Sequence, residues 1–216
     1  MAMTSKSLTE ALAELRAKIG EPYRSLNDEL IRRLIEAESA KGALKVGDTC
    51  PSFAMPSADG AVVTSAELLA RGPLVLSFYR GAWCPFCSAE LEALHEAEPA
   101  IRAAGATLVA VTAEVGGIPL GVKRQRGFKF DILCDVDNGV ALDFGLVFRI
   151  SPDMVQVFAR DGTDFPLFYG NDSWFLPVPA TYVVARDGTI AQAYVNPDFR
   201  YRLDPADIVG ALRALG

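Results

Sequence analysis

Two cysteines, Cys84 and Cys87, are the residues of this chain whose types and spacing point most directly to chemistry. They lie three positions apart, with Trp83 before the pair and Pro85 inside it. The pair follows the apolar run of residues 74–79, so it falls where a strand gives way to a helix. A cysteine pair at this spacing closes to a disulfide and reopens, which indicates thiol–disulfide redox chemistry.

The predicted helix after the pair explains why one sulfur should ionise. Leu91 and Leu94 lie among good helix formers, and a proline such as Pro85 suits the first helical position. Cys84 then meets free backbone N–H groups and the positive end of the helix dipole, which favour its thiolate. We therefore expect Cys84 to be reactive and open to a substrate. Cys87, one turn further, should be less exposed and placed to attack a mixed disulfide formed on Cys84.

A zinc site is the alternative interpretation of the pair. Zinc needs four ligands, and the sequence has no second close cysteine pair, so we expect no metal and no cofactor. Cys50 and Cys134 are isolated and are predicted to be small buried side chains. His95 lies eleven residues beyond Cys84, about 16 Å along a helix, which is too far to activate that thiol.

Two neighbours of the cysteines are candidate supporting residues. Glu90 follows Cys87 by about one helical turn and faces the same side, so it either accepts a proton from that thiol or is an ordinary charge near a helix N-terminus. Trp83 either covers the sulfurs with apolar surface or is a plain core residue. The sequence leaves both choices open.

Composition narrows the class of protein. Half of the 216 residues are hydrophobic, which is enough for a sizeable core without disulfide staples. The net charge of −6 disfavours nucleic acid and anionic membranes as partners. Because neither a secretion signal nor a membrane-length apolar run is visible, we expect a cytoplasmic protein, and close cysteines in that compartment are rarely structural.

Apolar spacing divides the chain into two parts. Residues 1–44 are predicted to be an N-terminal helical extension with two amphipathic helices separated by Glu21-Pro22. Their apolar positions are Leu8, Leu12, Leu15, Ile19, Leu26, Leu30, Leu34 and Ile35. Such faces need a cover, so the helices either pack on the main domain or pair with a second copy, and we predict a homodimer.

Residues 45–216 show an α/β pattern. Strands are expected near residues 74–79, 107–112, 181–185 and 190–195. The first two flank a crossover helix and should be parallel, whereas Arg186-Asp187-Gly188 predicts a hairpin between the last two. A final helix from Asp207 should bury Ile208, Leu212 and Leu215. The expected fold is a central mixed sheet flanked by helices.

An aromatic-rich segment at residues 151–178 interrupts this pattern. It is too apolar for a disordered linker. We expect either a folded insertion near the cysteines or a surface loop that packs only for stability.

With these elements, the chain resembles the thioredoxin fold and, within it, the peroxiredoxin-like branch of the alkyl hydroperoxide reductase and thiol-specific antioxidant family. The resemblance covers residues 45–215. It rests on the Trp-Cys-Pro-Phe-Cys motif, on Val46-Gly47-Asp48-Thr49-Cys50-Pro51-Ser52-Phe53, and on Phe130-Asp131-Ile132-Leu133-Cys134-Asp135.

The resemblance also shows departures at the site. Aligned on Cys87-Ser88-Ala89-Glu90-Leu91, Cys87 matches the peroxidatic cysteine, and Cys84 stands where the family has a hydroxyl residue. Arg80 stands at the position of the family's proline. Pro179 lies near the place of the family's arginine and resembles the cis-proline of thioredoxins. Four arginines are candidates for a replacement cation: Arg80, Arg149, Arg200 and Arg202.

Three functions follow from these features. The family resemblance implies reduction of hydroperoxides through Cys87, with Cys84 closing the disulfide and an external thiol system, such as thioredoxin or glutathione, restoring the pair. Cys84 and Pro179 favour disulfide exchange in a protein or small-molecule substrate. The third possibility is a redox sensor without turnover.

Overall fold

A computed structural model describes residues 6–160 and 162–216. Residues 1–5 of the predicted N-terminal extension and residue 161 of the predicted insertion lie outside the described residues. The strands are β1 (Ala54–Pro56), β2 (Val62–Thr64), β3 (Leu74–Phe78), β4 (Thr107–Thr112), β5 (Asp131–Cys134), β6 (Val147–Arg149), β7 (Phe175–Pro177), β8 (Ala180–Val184) and β9 (Ile190–Val195).

Helices surround these strands. They are α1 (Leu8–Lys18), α2 (Tyr23–Glu36), α3 (Ser65–Arg71), α4 (Pro85–Ala103), α5 (Ile118–Arg126), α6 (Gly139–Asp143), α7 (Pro152–Arg160), α8 (Phe165–Tyr169) and α9 (Pro205–Ala214), with a short 3₁₀ turn at Val136–Asn138.

The central sheet has five strands in the order β5-β4-β3-β8-β9. As predicted, β3 and β4 are parallel, with Leu74 opposite Thr107, and α4 forms the crossover between them. The predicted hairpin is also confirmed, because β8 and β9 are antiparallel. β3 lies in the middle and is buried along its whole length, which explains its continuous apolar sequence.

Side chains of β3 alternate between two hydrophobic clusters, one for each face of the sheet. Val75 belongs to the cluster that also contains the cysteine pair, while Leu74 and Leu76 belong to the other. Helix α4 lies over the first cluster and packs against α1 and α9. The sheet thus places the cysteine motif at the carboxyl end of its central strand.

The two N-terminal helices bury their apolar faces against their own domain. Ser7 and Glu10 form a capping box at the start of α1. Five side chains of α1 and α2 join the cluster that contains the cysteines: Leu8, Leu12, Leu30, Ile31 and Leu34. The described residues thus show packing on the domain, whereas Ile35 remains 57% exposed.

The segment between β6 and β8 folds into α7, α8 and β7, and β7 pairs with β6. Its rings of Phe158 and Phe165 lie 5.6 Å and 5.3 Å from that of Trp83. The segment therefore touches the cysteine motif. The domain limits at residues 44 and 45, and those of the insertion, stay predictions.

The last helix, α9, buries two of the three apolar residues that were predicted to be buried there. Ile208 and Leu212 are buried as predicted, but Leu215 is 37% exposed because α9 ends at Ala214 and leaves Leu215 as the C-cap.

Within the part of the chain that the structure describes, every helix is too short or too polar to cross a membrane.

Candidate active site

Cys84 is the N-cap of α4, and Pro85 occupies the first helical position, as the sequence predicts. The Cys84 carbonyl accepts the N–H of Ser88 at 3.0 Å, and its own N–H donates to Gly81 at 3.1 Å. These bonds close the turn between β3 and α4. They fix the first sulfur at the positive end of a 19-residue helix.

Neither sulfur is exposed, which corrects the expectation that Cys84 is open to a substrate. Both Cys84 and Cys87 have a relative exposure of 0%. Segments distant in sequence bury the pair, because apolar side chains of α1, α2, α7 and α8 belong to the same hydrophobic cluster as the two cysteines. We call these four helices the cover of the site. A substrate must therefore reach the pair through a pocket or after a movement of this cover.

Arg80 holds a positive charge next to the sulfur of Cys84. Its Nη2 donates to the Cys84 Sγ at 3.0 Å, and the residue is only 2% exposed. The guanidinium lies over the rings of Phe199 and Trp83, at 3.6 Å and 4.9 Å from their centroids. These ring contacts hold a buried cation against the sulfur.

Arg202 is the second cation at the pair. Its Nη2 lies 3.5 Å from the Cys87 Sγ, and its Nε donates to Glu90 at 2.6 Å. The Arg202 and Glu90 side chains are each 1% exposed. Arg149 and Arg200, the other two candidates, bind Ser173 and the carboxylates of Asp198 and Asp28 instead.

The two cysteines have opposite pKa shifts. Burial works against ionisation of Cys84, but a hydrogen bond from the Cys87 side chain and the charges of Arg80 and Arg202 outweigh it, so the pKa of Cys84 lies well below its ordinary value. Burial and the nearby Cys84 raise the pKa of Cys87 well above it. These directions favour the thiolate form of Cys84 and the thiol form of Cys87.

Glu90 is a fully buried member of the site. Besides the ion pair with Arg202, its Oε1 accepts hydrogen bonds from Ser77 at 3.4 Å and Thr181 at 3.3 Å. Burial raises its pKa to about 7, against the opposing charge of Arg202. The carboxyl group thus titrates near neutrality beside Cys87, while its role as a proton acceptor stays a prediction.

Tyr169 connects the aromatic segment to the cysteine motif, a role that no sequence pattern predicts. Its hydroxyl accepts from Trp83 Nε1 at 2.8 Å and donates to the Arg80 carbonyl at 2.6 Å. Trp83 therefore forms part of the cover of the site through a specific hydrogen bond as well as through its apolar surface.

Glu114 was also missed. It is fully buried just after β4, and it accepts from the Ala82 N–H at 2.9 Å. Burial raises its pKa to about 7. The signal was present in the sequence, because β3 and β4 are parallel and their carboxyl ends, with the residues that follow, meet at one edge of the sheet.

Pro179 does not have the predicted cis bond. Among the described residues, the cis peptide bond is Glu21–Pro22. Pro179 lies between β7 and β8 with the more common trans bond, and the N–H of Val178 before it donates to the Leu146 carbonyl at 2.7 Å.

The remaining chemically interesting residues lie outside this cluster. Cys50 is buried as expected, and burial raises its pKa to about 11, whereas Cys134 is half-buried. His95 contacts Phe128, with ring centroids 5.4 Å apart. Within residues 6–160 and 162–216, no group of three His, Cys, Asp or Glu side chains is arranged to hold a metal ion.

A mixed sheet with a Cys-Pro-Phe-Cys motif at a helix N-terminus defines a thiol oxidoreductase with a thioredoxin-like fold. The sequence profile of the AhpC/TSA family matches residues 46–193. That match spans most of the chain and includes both cysteines, so the protein belongs to the AhpC/TSA family. It is a thiol-dependent oxidoreductase of the peroxiredoxin type.

Known relatives agree with this assignment. The "Putative peroxiredoxin Rv1608c" of Mycobacterium tuberculosis is 28% identical over 103 residues, which cover 48% of this chain and 67% of that protein. Among solved structures, peroxidoxin BcpB of M. tuberculosis has a TM-score of 0.63 at 21% identity, covering 80% of this chain and 99% of its own.

A second solved structure, peroxiredoxin Q of Xanthomonas campestris, has a TM-score of 0.58 at 18% identity and covers 75% of this chain and 90% of its own. These structures confirm the fold.

Proposed function

We propose that the protein reduces hydroperoxides, with Cys84 as the attacking thiolate and Cys87 as the resolving thiol. The observation that carries this assignment is the 3.0 Å contact between Arg80 Nη2 and the Cys84 Sγ, together with the lowered pKa of Cys84. A thiolate that persists at neutral pH is the form that attacks a peroxide. Arg80 also supplies positive charge where the leaving oxygen becomes negative.

The cycle has three balanced steps. The Cys84 thiolate attacks one oxygen of ROOH, the O–O bond breaks, and ROH leaves with a proton from solvent while Cys84 becomes a sulfenic acid. The Cys87 thiol then attacks that sulfur, which releases water and forms the disulfide. Two equivalents of an external thiol, from a thioredoxin or glutathione system, reduce the disulfide and are oxidised to one disulfide.

This assignment reverses the roles that the family alignment implies for the two cysteines. Cys87 matches the peroxidatic position, but burial and the neighbouring Cys84 raise its pKa, so its thiol is a poor nucleophile at neutral pH. Cys84 stands at the helix N-terminus with a cation on its sulfur. The charges of the site therefore favour Cys84 over Cys87 as the first nucleophile.

Disulfide exchange is the second candidate function, and the N-cap position of a low-pKa Cys84 favours it. A protein disulfide must contact the attacking sulfur directly, and that sulfur has no exposed surface. A peroxide is smaller and needs less room. Burial of the pair therefore ranks peroxide reduction first.

Stopped-flow mixing of the reduced protein with peroxide, followed by tryptophan fluorescence, tests the assignment. Cys84→Ser should abolish the reaction, whereas Cys87→Ser should still form a sulfenic acid that dimedone traps on Cys84. The opposite pattern would assign the attack to Cys87. Fast reduction of a model disulfide with slow peroxide reaction would favour exchange, and oxidation without turnover would favour a sensor.

Location and assembly are also part of the proposal. Four free cysteines suit a reducing compartment such as the cytoplasm. The homodimer stays a prediction, although the apolar faces of α1 and α2 that motivated it are largely covered within one chain. Light scattering on the purified protein gives the oligomeric state directly.

A further inference from the structure

The segment between β9 and α9 carries two side chains that reach the active site. It spans residues 196–204, and we call it the β9–α9 connection. The Phe199 ring lies 3.6 Å from the Arg80 guanidinium, and Arg202 Nη2 lies 3.5 Å from the Cys87 Sγ. Both side chains of the connection are buried. The positions of the two cations beside the sulfurs therefore depend on the path of this connection.

Backbone carbonyls of the connection hold the Arg202 guanidinium. Its Nη1 donates to the carbonyl of Phe199 and, at 2.9 Å, to that of Tyr201. The other nitrogens of the same guanidinium reach Cys87 and the Glu90 carboxylate. Because the energy between two charges depends on their separation, a shift of this backbone changes the effect of Arg202 on the cysteines.

The two N-terminal helices contact the middle of the connection. Arg16 of α1 donates through Nη1 to the Arg200 carbonyl at 3.1 Å, and its guanidinium lies 4.2 Å from the centroid of the Tyr201 ring. Asp28 of α2 accepts from Arg200 Nη1 at 2.6 Å. The two contacted residues separate the two that reach the site, so α1 and α2 act on the backbone that carries both.

The Asp28–Arg200 ion pair is a weak contributor to stability. Its side chains are 55% and 20% exposed, and exposed ion pairs contribute little to the free energy of unfolding. Arg200 also has a second partner within the connection, Asp198, at 2.9 Å. We therefore expect the contacts from α1 and α2 to determine the position of the connection more than the stability of the fold.

We propose that Arg16 and Asp28 are positioning residues for the cysteine pair, because they hold the β9–α9 connection and, through its two buried side chains, the cations at the sulfurs. The inference rests on the proposed function, in which Cys84 reacts as a thiolate, and deepens it. Arg16, Asp28 and the connection all lie outside residues 46–193, which the family profile matches. The N-terminal extension thus completes a site that the matched region does not contain in full.

The double variant Arg16→Met/Asp28→Asn tests the proposal by removing the contacts of both helices with the connection. Arg16 is half-buried and Asp28 is exposed, so the protein should keep its fold. We expect the midpoint of the Cys84 thiolate titration, followed by absorbance at 240 nm, to rise by about 0.5–1 unit. That rise is part of the roughly 1–3 units that an adjacent cation supplies. Each single change should give a smaller rise of the same sign.

Two further variants identify the cause of the rise. Arg16→Lys/Asp28→Glu keeps both charges and should restore at least half of the difference from the wild-type midpoint. Arg32→Met breaks two ion pairs of α2, with Glu29 and Glu36, and is the matched control. Its midpoint should equal that of the wild type.

The outcomes separate this proposal from the proposed function. An unchanged midpoint in the double variant, or an equal rise in the Arg32→Met protein, overturns the proposal. A rise that the charge-conserving variant does not restore also overturns it. The titration uses the reduced protein without peroxide, so its result does not depend on turnover. The expected rise in a protein that does not react with any peroxide would overturn the proposed function alone.

Discussion

The Nη2 of Arg80 lies 3.0 Å from the Cys84 Sγ, while the carbonyl of the same arginine accepts a hydrogen bond from Tyr169 at 2.6 Å. One residue thus connects the reactive sulfur to the aromatic segment that covers it. Because the charge and the cover meet at Arg80, both the ionisation of Cys84 and the access to it depend on this position.

Arg80→Gln should raise the pKa of Cys84. An opposite charge within hydrogen-bond distance lowers a pKa by about 1–3 units, and Gln removes that charge. The midpoint of the Cys84 titration should therefore rise, and the peroxide rate should fall about tenfold or more because the leaving oxygen loses the positive charge of Arg80. Thiolate absorbance at 240 nm across a pH titration measures the shift. Arg149→Gln, at an arginine bound to the Ser173 carbonyl, is the control, and equal titrations of the two variants would contradict the role of Arg80.

Glu90→Ala should destabilise the protein strongly. The change leaves Arg202 buried with its main counter-charge removed, and breaking a buried ion pair costs about 3–5 kcal/mol. Urea denaturation at pH 8, above the raised pKa of Glu90, measures the free energy of unfolding with this carboxylate charged. Glu29→Ala removes the carboxylate of exposed ion pairs on α2 and should have little effect. A similar small loss for both variants would show that the buried Glu90–Arg202 pair contributes no more to stability than the exposed pairs of Glu29.

The local geometry of the motif was predictable because local sequence determines it. Pro85 at the first helical position, with Leu91 and Leu94 on one side, predicts where α4 begins, and the helix start places Cys84 at its N-cap. The apolar runs of β3 and β4 predict a parallel pair once a helix joins them.

The surroundings of the sulfurs depend on long-range packing and were not predictable. Arg202 reaches Cys87 from 115 residues away, and sequence alone did not choose it over Arg149 or Arg200. The cover of Cys84 comes from α1, α2 and the aromatic segment, whose docking no local pattern encodes. Glu114 is predictable in part. Its position at the carboxyl end of a parallel strand follows from the sequence, whereas its complete burial does not.

Glu114→Gln should make stability less dependent on pH. Burial raises the pKa of Glu114 to about 7 from 4.5, so its neutral form is favoured in the folded state, and that stability is lost as the pH rises through 7. Between pH 5 and pH 8 the wild type should lose about 2 kcal/mol more than the variant. Gln keeps an oxygen for the Ala82 N–H. Urea denaturation of both proteins at pH 5 and pH 8 measures the difference. Equal losses of stability in the wild type and the variant would mean that a group other than Glu114 titrates in this range.

Tyr169→Phe should loosen the cover of the site without removing its apolar surface. The ring, stacked on Phe165 at 5.8 Å, is kept, but Trp83 Nε1 and the Arg80 carbonyl both lose their partner. Buried polar groups without partners cost about 1–3 kcal/mol each, so the free energy of unfolding should fall by about 2–6 kcal/mol.

Tryptophan emission during urea denaturation measures this loss and reports on Trp83 at the same time. Tyr201→Phe is the matched control, because Tyr201 is 44% exposed and its contact with Arg16 is through the ring, which the change retains. If the hydroxyl of Tyr169 anchors the cover, its variant should also become more accessible to thiol reagents at Cys84. An unchanged rate of alkylation at that sulfur would mean that ring packing alone keeps the site closed.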